Sequence, residues 1–352
     1  MIGVIVNPNS RKNRKRRGRT ARLEKILGRG GRVIETPSVD AIVPALRRFA
    51  DEGRRYWVAD GGDGSLHWIV NEAVRYFGPQ RATELAIYVP TGGGSVDFVA
   101  KHLDVKGAPD DVIARLSAAL NDGHTPRIAP VQSLLLQGEQ VAYGDERSAF
   151  RRVGFGNALG GYGANFYGPL YANTAGTKDH GPARIARLMG TAFGAAALGS
   201  AFRGPLEILK PPPLARAEHD YLRPLRAEIR VDGTVLRGED GLPVRAHTAL
   251  NCASLPLNLA NILRVFPQAR DGRMHVHAGH VTAVEMARVF PGLMSGRSVN
   301  HLLPNAYDGP ATTLEIRCDD GEEMTPVIDG ELHYRVTHLH VSLGPSFRMA
   351  AP

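Results

Sequence analysis

The sequence predicts a doubly wound α/β domain at the N-terminus, followed by an antiparallel, β-rich domain. Three observations lead there. Residues 1–126 alternate between strand-like and helix-like patterns, the order that builds a parallel sheet with helices on its faces. After Pro126, short stretches of alternating polarity dominate, punctuated by the turn pairs Asp232-Gly233, Asp271-Gly272 and Asp329-Gly330. The chain has 352 residues, 43% of them hydrophobic, which is length and apolar content enough for two domains. The expected boundaries are 1–126 and 127–342, with residues 343–352 free to return to the first domain.

In order along the chain, Ile2–Asn7 is an apolar run of buried-strand type and Thr20–Leu27 a short helix. Arg32–Glu35 is the next strand, and Asp40–Asp51 a helix with apolar residues at helical spacing. Tyr56–Ala59 is a third strand, Ser65–Phe77 a helix, Leu85–Val89 a fourth strand. Helices over Ser95–His102 and Pro109–Leu120 close the first domain. In the second, strands are expected at Val131–Leu136, Ala227–Val231, Ala249–Ala253, Arg273–His277, Thr312–Arg317 and His338–Ser342. One helical stretch near Pro182–Ser200 interrupts them, and Lys210–Pro213 reads as a stiff surface connection.

Composition excludes several classes. Only Cys252 and Cys318 occur, with no CxxC pair, which excludes a disulfide framework or cysteine zinc site and fits a reducing, cytoplasmic compartment. The apolar run at Ile2–Val6 is short and precedes the basic cluster, the reverse of a secretory signal. The most apolar candidate span, Met189–Phe202, falls short of the roughly 20 residues a transmembrane helix needs. The expectation is therefore no transmembrane segment and at most peripheral membrane contact. The 43 basic residues exceed the 35 acidic ones by 8, and seven of the nine residues from Arg11 to Arg19 are Lys or Arg. That cluster reads as a solvated face or as a contact for phosphates or anionic headgroups. No nucleic-acid motif or aromatic stacking series accompanies it, so no nucleic-acid partner is expected.

The strongest local signal is Asp60-Gly61-Gly62-Asp63-Gly64-Ser65, between a strand and a helix. Glycines let a backbone approach an anion, and the helix N-terminus beyond supplies free N–H groups and the positive end of its dipole. Asp63 is out of place in a bare phosphate cradle and suits a magnesium-assisted site; the competing reading is a turn whose Asp caps a helix. A second loop, Thr91-Gly92-Gly93-Gly94-Ser95, repeats the pattern after the fourth strand, and two such corners on one sheet edge form the crevice where α/β folds bind ligands. There is no GxxxxGK[ST], hence no P-loop. Gly154, Gly156 and Gly160 follow the spacing GxGxxxG and read as strand-end turns.

The Gly61–Ser65 stretch (GGDGS) resembles the GGDGT signature of the diacylglycerol kinase catalytic-domain family, which includes bacterial lipid kinases and sphingosine kinases. Other stretches resemble that family in the same order. Asn7-Pro8-Asn9-Ser10 is similar to its opening NPxSG element, with Arg11 where glycine is usual. Thr36–Ala41 is similar to its threonine loop, and Gly94–Lys101 aligns without a gap to GTxNDFAR. Phe266–Met274 is similar to its Asp-Gly strand entry, and Asp329-Gly330-Glu331 to its DGE motif. His67 and Trp68 stand where Asn-Glu is usual, and Asp97 and Phe98 occupy the Asn-Asp positions.

The resemblance implies an ATP- and magnesium-dependent lipid kinase, with ATP and magnesium in a cleft between an α/β nucleotide domain and a β-rich lipid domain. It implies nucleotide contacts at Asn7, Thr36, Gly61, Gly62, Asp63, Gly64, Ser65, Gly94 and Ser95, and a general base at Glu331. Asp63 is expected to act in catalysis and to contact magnesium, and the resemblance implies a structural magnesium at Asp271. Phosphoryl transfer needs positioning, charge compensation and a carboxylate near the attacking hydroxyl, and a tight Asp329-Gly330 turn can aim Glu331. The implied substrate is a diacylglycerol-like or sphingoid lipid at an anionic membrane surface. The alternatives are an NAD kinase-like enzyme with a soluble substrate and a catalytically silent lipid-binding module. His275, His277 and His280 have no carboxylate near them in sequence and read as a partly exposed strand face, not as metal ligands.

Overall fold

The computed structural model describes every residue except 11–12, 16–17, 95, 143, 173–190, 192–210, 212–219, 260–262, 271 and 298. The expected helix near Pro182–Ser200 and the Lys210–Pro213 connection therefore lie, apart from Thr191 and Pro211, outside the described residues. The chain divides into two compact units, residues 1–133 with 344–352 and residues 134–343.

In the first unit, β1 (Ile2–Val6), β2 (Gly31–Glu35), β3 (Tyr56–Asp60) and β4 (Ile87–Pro90) form a parallel sheet in the order β4-β3-β1-β2. Every residue of β1 and β3 is buried, which explains their continuous apolar runs: a strand covered on both faces has no polar side to show. The helices are α1 (Arg19–Leu27), α2 (Ile42–Asp51), α3 (Asp63–Phe77), α4 (Pro79–Leu85), α5 (Phe98–His102) and α6 (Pro109–Asn121). Val4, Val6, Val58 and Val89 pack with Leu23 and Leu27 of α1 and with Val112, Ile113 and Leu116 of α6. Trp57 belongs to a second cluster, its ring meeting Phe49 of α2, Phe77 of α3 and Tyr88. A doubly wound sheet results. The end of the chain returns here, Met349 pairing in parallel with Tyr88.

Two local expectations fail in this unit. The helix α4 is absent from the sequence reading because its polar stretch PQRATEL has no apolar stripe; Pro79 in its first turn starts it, and the strand after it begins at Ile87, not Leu85. The helix expected from Ser95 starts at Phe98, because Asp97 adopts a left-handed backbone with φ 54°.

The second unit is built on antiparallel strands. The strand β5 (Arg127–Val141) leads into it and pairs with β6 (Arg147–Gly154). Then follow β7 (Gly156–Gly160), α7 (Gly161–Ala172), β8 (Leu225–Val231), β9 (Thr234–Val235), β10 (Ala246–His247) and β11 (Ala249–Ala253). After these come β12 (Leu257–Leu259), β13 (Leu263–Val265), β14 (Met274–Gly279), α8 (Ala283–Ser295) and β15 (Ala306–Ala311). Last are β16 (Thr313–Cys318), β17 (Val327–Ile328), β18 (Glu331–Leu332) and β19 (Val336–Ala351).

One sheet runs β15-β14-β11-β7-β17-β18, and β10, β8, β16 and β19 are successive neighbours in another. Leu159, Leu250, Cys252, Met274 and Val276 from the first pack with Ile229, Leu314, Ile316, Leu339 and Val341 from the second. Neither α7 nor α8 was expected: α7 is glycine-rich and α8 contains Pro291, both poor helix signals. Among the described residues, no helix is long and apolar enough to cross a membrane.

Candidate active site

Asn7, Thr36, Gly61 and Thr91 follow β1, β2, β3 and β4, so all four stand at the C-terminal edge of the parallel sheet. The chain leaves β1 for β2 on one side and returns to β3 on the other, so the sheet has its topological switch between β1 and β3. Open α/β sheets bind ligands outside that point. Asn7 spans it: its Nδ2 donates to Ser65 Oγ at 3.0 Å, while its Oδ1 accepts the Asn9 N–H at 2.9 Å. Thr36 is buried, and its N–H donates to Val6 O at 3.0 Å.

The two glycine loops interlock. Gly93 N–H donates to Gly61 O at 2.7 Å, and Thr91 Oγ1 donates to Ala59 O at 2.9 Å. A Cβ on Gly62 would sit 2.6 Å from the Gly94 Cα, and one on Gly94 would sit 2.7 Å from the Gly62 Cα. No side chain fits between the loops, so both positions need glycine for close approach. The N-terminus of α3, fifteen residues long, opens at this corner with Asp63, Gly64 and Ser65 in its first turn.

The carboxylates here are engaged. Asp63 begins α3, yet its side chain accepts from Phe98 N at 3.1 Å and Val99 N at 3.4 Å, capping α5. Asp97 Oδ1 accepts the Gly94 N–H at 2.7 Å. Ser95 lies outside the described residues.

A buried ionic network underlies the corner, and the sequence reading missed it. Asp60, fully buried at the end of β3, is gripped by Arg19 Nε at 2.9 Å and Nη2 at 2.7 Å. Arg19 also bonds Asp110, which Arg22 Nε approaches at 2.7 Å. Asn13 Nδ2 donates to Asp60 O at 3.0 Å and to Asn7 O at 3.1 Å. Burial alone would lower the Arg19 pKa, but its hydrogen bonds to Asp60 and Asp110 outweigh that and raise it. The basic cluster from Arg11 to Arg19 is thus not wholly a solvated face. A buried aspartate directly before the glycine loop was the available signal, since such a charge needs a partner.

In the second unit Asp329 is buried, with a left-handed backbone at φ 51°, and Glu331 two residues on is half-buried at the start of β18. Asp271 lies outside the described residues.

The histidine expectation is corrected here. His275 is fully buried, not exposed, and a carboxylate does stand beside it: Asp308, opposite His277 in the pairing of β14 with β15. His275 Nε2 lies 2.7 Å and His277 Nε2 2.9 Å from Asp308 Oδ1, and Val299 N–H donates to Asp308 Oδ2 at 2.9 Å. Burial alone would raise the Asp308 pKa, yet the two histidines and the Val299 N–H hold it far below the usual carboxylate range. The three donor atoms lie within 4.8 Å of one another, as a metal site requires. His275 Nδ1, however, accepts the Gln268 N–H at 3.2 Å, so the ring proton belongs on Nε2 and leaves no lone pair there for a metal. The cluster is a hydrogen-bonded clasp.

Residues 1–128 match the model of the diacylglycerol kinase catalytic domain, so the family likeness carried by the motifs is borne out over that stretch. No curated protein matches the chain. Three solved structures from Bacillus anthracis str. Sterne share the fold, one described as a diacylglycerol kinase outright and two by assignment. They are 12%, 13% and 14% identical to this chain, with TM-scores of 0.53, 0.58 and 0.60. The matches cover 100% of this chain and 96%, 96% and 97% of theirs. The fold class read from the sequence, an α/β domain followed by an antiparallel β-rich one, is therefore correct. The catalytic-domain match is a likeness of residues 1–128 and does not extend over the second unit.

Proposed function

We propose that the protein transfers the γ-phosphoryl group of ATP to the hydroxyl of a diacylglycerol-like or sphingoid lipid at an anionic membrane surface, on the cytoplasmic side. The observation that carries this reading is the glycine corner at the switch point. Two side-chain-free loops and the start of α3 meet there, bridged by Asn7 and Ser65. Such a corner offers phosphate backbone N–H groups and the positive end of a helix dipole. In this reading Asn7, Thr36, Gly61, Gly62, Gly64, Ser65, Gly94 and Ser95 form the nucleotide site.

Magnesium fits the chemistry of the donors at this corner. Asp63 and Asp97 bring hard carboxylate oxygens to this corner, and magnesium is commonly held by one or two carboxylates, phosphates and water. Asp63 is the proposed metal contact in the first unit and Asp271 one in the second. The ion would offset the phosphate charge. The chain's own residues orient the nucleotide, and Glu331 takes the proton from the lipid hydroxyl.

The test is transfer of labelled phosphate from ATP to a panel of extracted lipids, with and without magnesium. Wild-type protein should label a glycerolipid or sphingoid fraction. Glu331→Gln should lower turnover by roughly 10²–10⁴-fold with little change in ATP affinity. Labelling of a soluble nucleotide instead would transfer the assignment to a soluble-substrate kinase. ATP binding without transfer to any acceptor would favour a silent lipid-binding module.

A further inference from the structure

We propose that Asp329 is the positioning residue for Glu331, acting as a backbone clamp whose acceptor oxygen, not its charge, is what the reaction needs. This rests on Glu331 being the base of the proposed reaction. The turn between β17 and β18 is two residues long, Asp329-Gly330, and both have positive φ, 51° and 89°. A free hairpin tip of that kind would swing, and Glu331 with it. Here the tip is fastened. Asp329 Oδ1 accepts two backbone N–H groups, Phe155 at 2.8 Å and Gly156 at 3.0 Å, and Asp329 N–H donates back to Gly156 O at 3.0 Å. These three bonds seize the junction between β6 and β7, and β17 also pairs with β7 through Ile328 and Asn157.

Asp329 as a residue is 3% exposed, so water does not compete for those two N–H groups. Its other oxygen, Oδ2, lies 3.4 Å from where a Cβ on Gly154 would stand, and Asn157 Oδ1 lies 2.7 Å from the same point. That Asn157 oxygen is buried with no hydrogen-bond partner among the described residues. An amide at position 329 would keep Oδ1 for both N–H groups and could present its NH2 toward Asn157. Asn also tolerates the left-handed backbone, whereas Ala would lose both acceptor contacts and Glu would not fit the turn.

The clamp separates two roles that a single inactive variant would confound. If Asp329 only orients Glu331, Asp329→Asn should retain turnover within a few-fold of wild type. Asp329→Ala should lose roughly 10- to 100-fold in kcat, the scale of a misplaced catalytic group, with KM for ATP unchanged. Amide hydrogen exchange supplies a readout independent of activity: Phe155 and Gly156 should lose protection in the Ala variant and keep it in the Asn variant.

Unchanged protection of both amides in Asp329→Ala, or collapse of turnover in Asp329→Asn with the amides still protected, would overturn the clamp. If wild-type protein labels no lipid, the lipid-kinase reading fails while the exchange experiment still decides the clamp. If Glu331→Gln is inactive and Asp329→Ala is fully active, only the clamp fails. Should the Ala variant not fold, Asp329→Ser, with a hydroxyl too short to reach both N–H groups, takes its place under the same expectations.

Discussion

The glycine corner of the first unit and the hairpin of the second carry the proposed chemistry in opposite ways. The corner is made of backbone: its essential property is the absence of side chains at Gly62 and Gly94. The hairpin is made of one side chain, Asp329, that ties backbone segments distant in sequence. A site built from missing atoms tolerates no added ones, whereas a site built from one acceptor tolerates any group that presents the same oxygen. The two regions should therefore break differently under mutation.

The largest expected effect is at the corner. Gly94→Val would drive a branched side chain against Gly62 and the Asp97 carboxylate, forcing the loops apart. Thermal protection by ATP with magnesium should disappear, while the chain still unfolds cooperatively. Retained protection would remove the second loop from the nucleotide site. At Asp329 the isosteric change is expected to be mild, and that contrast is the sharpest comparison of the two regions.

A smaller loss, in stability and not in binding, is expected beneath the corner. Arg19 and Asp60 are 4% and 1% exposed at their side chains, so Arg19→Met strands the Asp60 carboxylate without its cation. Breaking a buried pair from one side costs roughly 3–5 kcal/mol. Urea unfolding should show a shifted midpoint of that order in Arg19→Met. Removing both charges together, in Arg19→Met with Asp60→Leu, should recover part of it. If the single variant unfolds like wild type, the pair is not a structural element of the first unit.

Much of this corner was legible in the sequence because its determinants are local. Buried parallel strands read as apolar runs, and a glycine loop between strand and helix is continuous in the chain. The hairpin was legible only as a motif: the acceptors and donors that fasten it are 173 and 174 residues apart. The His275–Asp308 clasp could not be read at all, since it depends on the register of β14 against β15, which the tertiary fold sets. For the same reason Arg19 read as part of a solvated or phosphate-facing cluster, since its partner Asp60 lies 41 positions away, just past the strand expected at Tyr56–Ala59. Short helices without an apolar stripe, such as α4, were invisible for lack of periodicity.

The smallest expected effect separates the units by pH. His247 is fully buried in the second unit, its Nε2–H donating to Ala227 O at 3.0 Å. Burial depresses its pKa to about 4, with nearby His280 pushing the same way, against the carbonyls of Ala227 and Val244 and the more distant Asp319. The folded state therefore holds this ring neutral at a pH where the unfolded chain, with a pKa near 6.5, takes up a proton. Unfolding binds protons in that window, so the stabilisation is complete above pH 6.5 and is lost as pH falls from 6.5 toward 4. The full excursion amounts to about 3 kcal/mol as an upper scale. His275, lowered mainly by burial, contributes in the same direction, whereas the stabilisation from Asp308, held low, is present throughout this window and is lost only as pH falls below the ordinary carboxylate range. Unfolding free energies at pH 7 and pH 5 should differ in wild-type protein and differ less in His247→Gln, which keeps a donor for Ala227 O but cannot titrate. Amide exchange should assign the lost stability to the second unit and leave the strands β1 and β3 protected. An equal pH dependence in the variant would mean that other groups govern acid sensitivity, and that His247 is no more than a packed ring.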